Sequence, residues 1–94
     1  MKQRYLEVSY RRGKPLAAYL YLPRQPGDRS TRTQQQESGL LIDYASDGRP
    51  IGVEITAPSQ VTLAALNCVL ATVQQSPLTA TEFAPLLPPT AVAG

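Results

Sequence analysis

The stretch 40–55, Leu-Leu-Ile-Asp-Tyr-Ala-Ser-Asp-Gly-Arg-Pro-Ile-Gly-Val-Glu-Ile, constrains the fold more than any other part of the chain. Two runs that alternate apolar and polar residues flank Asp47-Gly48, a dipeptide that takes positive φ readily and suits a tight hairpin turn. With Asp47 and Gly48 as the turn residues, Leu40 faces Ile55, Ile42 faces Val53 and Tyr44 faces Ile51. That register collects every large apolar pair on one face, whereas a slip of one residue would divide them between two. An antiparallel sheet with a single apolar face is the expectation.

The preceding residues supply more strands of the same kind. Residues 5–10 alternate, with Leu6, Val8 and Tyr10 on one face and Tyr5, Glu7 and Ser9 on the other. Residues 11–15, Arg-Arg-Gly-Lys-Pro, form a polar turn. Residues 16–22 alternate again, Ala18, Leu20 and Leu22 against Ala17, Tyr19 and Tyr21, so these two strands are antiparallel neighbours. Residues 23–29 hold two Pro, one Gly and one Asp and read as a loop. Residues 30–37 have β-favouring Thr31 and Thr33 but no apolar face, which suits a polar edge strand or an exposed linking strand. Local connections throughout predict a meander.

After Ala57-Pro58-Ser59 the pattern changes period. Thr62 is a fitting N-cap for a helix to about Gln74, with Leu63, Leu66, Leu70 and Val73 as its apolar stripe. The other side carries Val61, Ala65, Cys68 and Thr72, small and without charge, which predicts a helix buried on two sides. Thr79 and Glu82 match a capping box for a short second helix ending at Leu86 or Leu87. The predicted fold is α+β: an antiparallel β-meander of four to five strands, one helix packed on a face, a short C-terminal helix and a Pro-rich tail. Residues 1–87 are expected to form a single domain and residues 88–94 a flexible tail.

The residues that carry the two hairpins resemble the YuzE-like family of small prokaryotic proteins (domain of unknown function 2283). Tyr10 and Ala18-Tyr19-Leu20 match the family's first hairpin. Ile42-Asp43-Tyr44, Asp47-Gly48-Arg49 and Gly52-Val53-Glu54-Ile55 match its acidic second one. The resemblance covers roughly the first two-thirds of the chain. It implies a β-meander with a helix, self-association and no established activity. Some relatives look like one half of toxin–antitoxin-style pairs.

Composition removes several chemistries. The 94 residues contain no His and one Cys, Cys68. Serine–histidine triads, His-based metal sites and an intrachain disulfide cannot be built from this set, and no cofactor is expected. The opening residues lack the apolar core of a signal peptide, and no apolar run approaches membrane-spanning length, so a cytoplasmic location without membrane partners is expected. Charge is lopsided: residues 1–32 hold eight of the nine basic side chains against Glu7 and Asp28, a net +6, and residues 33–94 hold Arg49 against five acids, a net −4.

Three surfaces compete for a function. Uncharged Val61, Ala65, Cys68 and Thr72 suit a homodimer interface, since small residues let helices approach closely. Cys68, far from any basic neighbour, is expected to be a packing residue rather than a nucleophile. Arg11, Arg12 and Lys14, with Tyr5, Tyr19 and Tyr21, offer polyanion contact by stacking and phosphate pairing. Asp43 and Glu54 share an outward face, where they could hold a cation or act as acid and base. Two carboxylates without a third ligand make an incomplete site, so they are expected to be solvated and nearly silent on substitution. The expected function is a non-catalytic, self-associating protein-interaction module, in its most specific form the antitoxin-like partner of a small toxin. A nucleic-acid binder using the basic N-terminal half ranks second, and a metal binder or enzyme using Asp43 and Glu54 third.

Overall fold

The computed structural model describes residues 3–36 and 39–87. Five strands, β1 (Tyr5–Arg11), β2 (Lys14–Tyr21), β3 (Arg32–Gln35), β4 (Leu40–Tyr44) and β5 (Pro50–Ile55), are followed by helix α1 (Leu63–Thr72) and the short α2 (Ala80–Phe83). A single 3₁₀ turn follows each of β5 (Pro58–Gln60) and α2 (Ala84–Leu86). The tail predicted at 88–94 lies outside the described residues.

The strands form one sheet in the order β1-β2-β5-β4-β3, every neighbouring pair antiparallel. The fold class is therefore α+β, as expected, but the order departs from an uninterrupted meander. The loop after Leu22 carries the chain to the far edge, and β3, β4 and β5 then return until β5 lies beside β2. This is Greek-key connectivity. Burial explains it. Strand β5 has four buried residues of six and takes a central place, whereas all four residues of β3 are exposed and take an edge.

One sheet face and the helices enclose the core. Leu20, Leu22, Leu40, Ile42, Val53 and Ile55 from the sheet meet Leu66, Val69 and Leu70 of α1. Leu78, Phe83 and Leu86 join the same cluster, so the C-terminal segment folds back onto the chain's own core. Asn67 holds it there, donating from Nδ2 to the Leu78 carbonyl (3.2 Å) and accepting the Leu78 N–H at Oδ1 (2.7 Å). The caps are as predicted at both N-termini. The Ala65 N–H donates to Thr62 Oγ1 (3.0 Å), and Thr79 and Glu82 form a reciprocal capping box. Helix α1 ends in a Schellman motif, with Gln74 at φ 61 and the Gln75 N–H on the Leu70 carbonyl (2.9 Å).

Several residues lie differently from expectation. Val61 is extended rather than helical (φ −88°, ψ 141°), so the helical wheel does not apply to it, and it is buried in the core. It therefore does not share an outward stripe with Ala65, Cys68 and Thr72. Ala65 is half-buried, Thr72 exposed, and Cys68 is exposed rather than a packing residue. Tyr10 has the core-side parity but is 57% exposed. Strand β5 backs β2 only over Ala18–Tyr21, leaving the hairpin tip without a neighbour, and a bulge at Leu16 shifts the local register.

The central hairpin has the predicted register at Leu40↔Ile55 and Ile42↔Val53, but Tyr44 faces Pro50 rather than Ile51. The turn is the reason. The Gly48 N–H bonds the Ala45 carbonyl (2.9 Å) and the Ala45 N–H bonds the Arg49 carbonyl (2.9 Å), so Ser46 and Asp47 are its central residues and Gly48 follows at φ 90. The extra loop residue moves the register by one, and Ile51 is the bulge that restores it. A Cβ on Gly48 would meet nothing within 4 Å, so Gly48→Val strains only the backbone. An expected loss of about 1–2 kcal/mol, read by urea denaturation, tests this, with Gly48→Asn losing clearly less.

Candidate functional site

The sheet face away from the helices carries the polar chemistry. Strand alternation and the observed registers place Tyr5, Tyr21, Gly52, Asp43 and Thr33 in one row across all five strands. Glu7, Tyr19, Glu54, Leu41 and Gln35 form the next row. Tyr19 leaves its row. From β2 it crosses β5 and donates to Asp43 Oδ2 on β4 at 2.8 Å.

Gly52 makes that crossing feasible. A Cβ built there would lie 1.9 Å from Tyr19 Oη and 2.2 Å from Cζ, so only glycine leaves room for the ring. Asp43 also accepts from Thr33 Oγ1 of β3 at 2.6 Å. One carboxyl group thus ties together β2, β3 and β4, with the Tyr19 ring above it, and it is 4% exposed. The expectation of a solvated Asp43 is overturned. Glycine removes the side chain that would have held the tyrosine off, and the ring then covers the acid.

Arg24, from the loop after β2, completes the network. Its Nη2 donates to Tyr19 Oη (3.0 Å) and its Nε to the Ile51 carbonyl (3.0 Å). Its guanidinium carbon lies 4.8 Å from the Tyr21 ring centroid, within cation–π range. Tyr21 is 4.7 Å from Tyr19 and 5.6 Å from Tyr5, so the three tyrosines expected on this face form a continuous aromatic row.

Burial, then the hydrogen bond to Asp43, holds the Tyr19 phenol well above its ordinary pKa. It therefore stays a neutral donor under physiological conditions. Glu54 is also raised, first by its hydrogen bond with Asp43, then by burial and by the neighbouring negative charge. Folding thus favours protonated Glu54. That contribution is full below the unfolded value of about 4.3 and is lost as pH rises through the raised folded one. Glu54→Gln keeps a neutral donor at every pH. It should be more stable than the parent at pH 7 by about 0.5–1 kcal/mol, with the gap closing near pH 4. Equal melting curves at both pH values would show that the two acids do not interact.

A second cluster secures the loop to the hairpin turn. Arg49 binds Asp28 through both terminal nitrogens (3.0 and 2.8 Å) and Asp47 through Nε (2.7 Å). Its guanidinium holds both carboxyls below their ordinary range. The predicted turn residue Asp47 therefore acts locally, also accepting the Arg49 N–H at 3.1 Å.

The basic N-terminal half does not converge into one face. Arg4 donates to the Ser76 and Pro77 carbonyls and lies 3.7 Å from Glu82. Arg32 sits 4.1 Å from the Tyr44 ring centroid. Arg11, Arg12 and Lys14 remain exposed at the β1–β2 tip, which Arg12 (φ 54) and Gly13 (φ 76) close as a two-residue turn. Among the described residues, no group of three His, Cys, Asp or Glu side chains is placed to hold a metal. No buried side-chain nitrogen or oxygen among them lacks a hydrogen bond.

Tyr19, Thr33 and Arg24 were not among the sequence-level candidates for this network. The one available signal was Gly52, a glycine inside an apolar strand, which marks a close approach by another group.

A small antiparallel sheet with one helical cover and an internally satisfied polar face defines the class of molecule. Residues 17–58 match the family described as "Protein of unknown function (DUF2283)", so the central strands of this chain are similar to that family. The matched stretch runs from β2 to the turn after β5 and holds every member of the Tyr19–Asp43 network, whereas β1 and α1 lie outside it. Neither curated proteins nor solved structures give a match. No helix among the described residues is long and apolar enough to cross a membrane.

Proposed function

We propose that this protein is a non-catalytic interaction module that works by self-association. The observation that carries this reading is the placement of exposed apolar surface. Of the four large hydrophobic side chains exposed among the described residues, Tyr5 (46%), Tyr10 (57%) and Leu16 (55%) lie on the β1–β2 hairpin. Exposed apolar surface concentrated on one edge hairpin, Tyr10 and Leu16 toward its tip and Tyr5 at its base, marks that hairpin as an interface. The polar network supports the non-catalytic part, because its donors and acceptors are spent on one another and tie the strands together. In its most specific form the module is the antitoxin-like partner of a small toxin, which co-purification from the native cell tests. Light scattering over a concentration series tests self-association. A concentration-dependent dimer is expected, and a monomer at several hundred micromolar would reject the reading.

A second reading, polyanion binding, rests on Arg11, Arg12 and Lys14 beside Tyr10 at one tip. Submicromolar binding to RNA or DNA near about 150 mM salt, lost on joint Arg11→Ala and Arg12→Ala substitution, would put it first.

A further inference from the structure

Among the described residues strand β1 is an edge strand with β2 as its only neighbour, so one row of its backbone N–H and C=O groups has no strand partner there. The two-residue turn at Arg12-Gly13 makes Arg11↔Lys14 the hydrogen-bonded closing pair. Alternation from Arg11 then turns the backbone groups of Leu6, Val8 and Tyr10 outward. The bulge of this hairpin falls on β2, where Leu16 is the extra residue between the Ser9↔Ala17 and Tyr10↔Pro15 pairs. Strand β1 itself therefore carries no bulge, Pro or Gly to blunt its free edge.

From this edge we infer that two copies of the chain pair antiparallel through β1, about a two-fold axis at Val8, joining their sheets into one of ten strands. The inference rests on the self-association proposed above and names its surface and register. With the axis at Val8, Leu6 faces the partner's Tyr10 and Val8 faces Val8, and all of these residues have outward backbone groups. The seven residues of each strand overlap fully. Leu6 and Val8 are only half-buried in one chain, and Tyr10 is 57% exposed although its hydroxyl donates to the Pro85 carbonyl (3.3 Å). Pairing adds apolar cover to all three.

Charge selects a second copy as the occupant. On the other face Glu7 faces the partner's Ser9 and has the partner's Arg11 on one diagonal and the partner's Glu7 on the other, so two Glu7–Arg11 attractions outweigh one Glu7–Glu7 repulsion, and Tyr5 faces that same Arg11. Among the described residues neither Glu7 nor Arg11 has an ion-pair partner. The two-fold supplies one to each, twice per dimer, and sets a guanidinium beside the Tyr5 ring. A slip that brings Leu6 opposite Val8 would instead set Glu7 directly against its own copy, which opposes that register.

The test is the dimer dissociation constant of the whole chain, measured by sedimentation equilibrium on charge-swapped variants. Glu7→Arg makes the contact cationic on both sides and should weaken the dimer by about tenfold or more. Adding Arg11→Glu should restore it. Tyr10→Pro, which removes an outward N–H tolerated as Pro on an edge strand, should give a monomer with the parental circular dichroism spectrum. A dimer unchanged by Glu7→Arg and Tyr10→Pro but broken by Ala65→Glu would place the contact on α1. That result would reject the β1 pairing and retain self-association, whereas a parent protein monomeric at several hundred micromolar would reject both.

Discussion

Gly52→Val should destabilise the protein by about 3 kcal/mol or more, among the larger effects a single substitution produces. The Cβ position lies 1.9 Å from Tyr19 Oη and 2.5 Å from a ring carbon of the same residue, so the ring must leave. Its departure breaks the bond to Asp43, uncovers that carboxyl and removes the surface on which Arg24 rests. Because the cost comes from collision with one ring, the effects of Gly52→Val and Tyr19→Ala should be strongly non-additive. The double variant should be no less stable than Gly52→Val alone, within about 0.5 kcal/mol. Urea denaturation of the four proteins of the cycle measures this directly. Additive losses would mean that the glycine serves the β5 backbone rather than the tyrosine.

Asp43→Ala carries the second large effect, an expected loss of about 2–3 kcal/mol. Two donors, Tyr19 Oη and Thr33 Oγ1, lose their acceptor, and the Tyr19 hydroxyl is left beside the Arg24 guanidinium. Thr33 belongs to β3, an edge strand of four exposed residues. Its hold on the sheet therefore depends on this bond more than on burial. Amide exchange in β3 should accelerate more than exchange in β2 and β5, a regional signature that a uniform loss of stability would not produce. Tyr19→Phe, which removes one donor and keeps the ring over Gly52, should lose about 1 kcal/mol.

The two acids thus act in opposite directions. Asp43 accepts from two side chains, and Glu54 beside it, its pKa raised by Asp43 and by burial, is the position where a neutral side chain is expected to stabilise. The basic half of the chain is similarly divided by its contacts. Arg24 belongs to the aromatic row, Arg4 to the C-terminal segment and Arg32 to the Tyr44 ring, which leaves the β1–β2 tip as the exposed basic cluster described above.

Sequence periodicity by itself determined the local elements. Alternation in 5–10, 16–22 and 40–55 foretold four strands, because a half-buried strand must place one apolar side chain at every second residue. Thr62 and Thr79 located both helix starts, since orphan N–H groups there need a side-chain acceptor. Tertiary structure alone decided the strand order, as the competition for the sheet centre depends on the relative burial of β3 and β5, which no local pattern compares. It also decided the fate of the acids. Asp43 and Glu54 read as solvent-facing from alternation, but Tyr19 lies diagonal to Asp43 across an intervening strand. Only the assembled sheet, with glycine at the crossing, brings the phenol over the carboxyl and turns an outward acid into a buried tie.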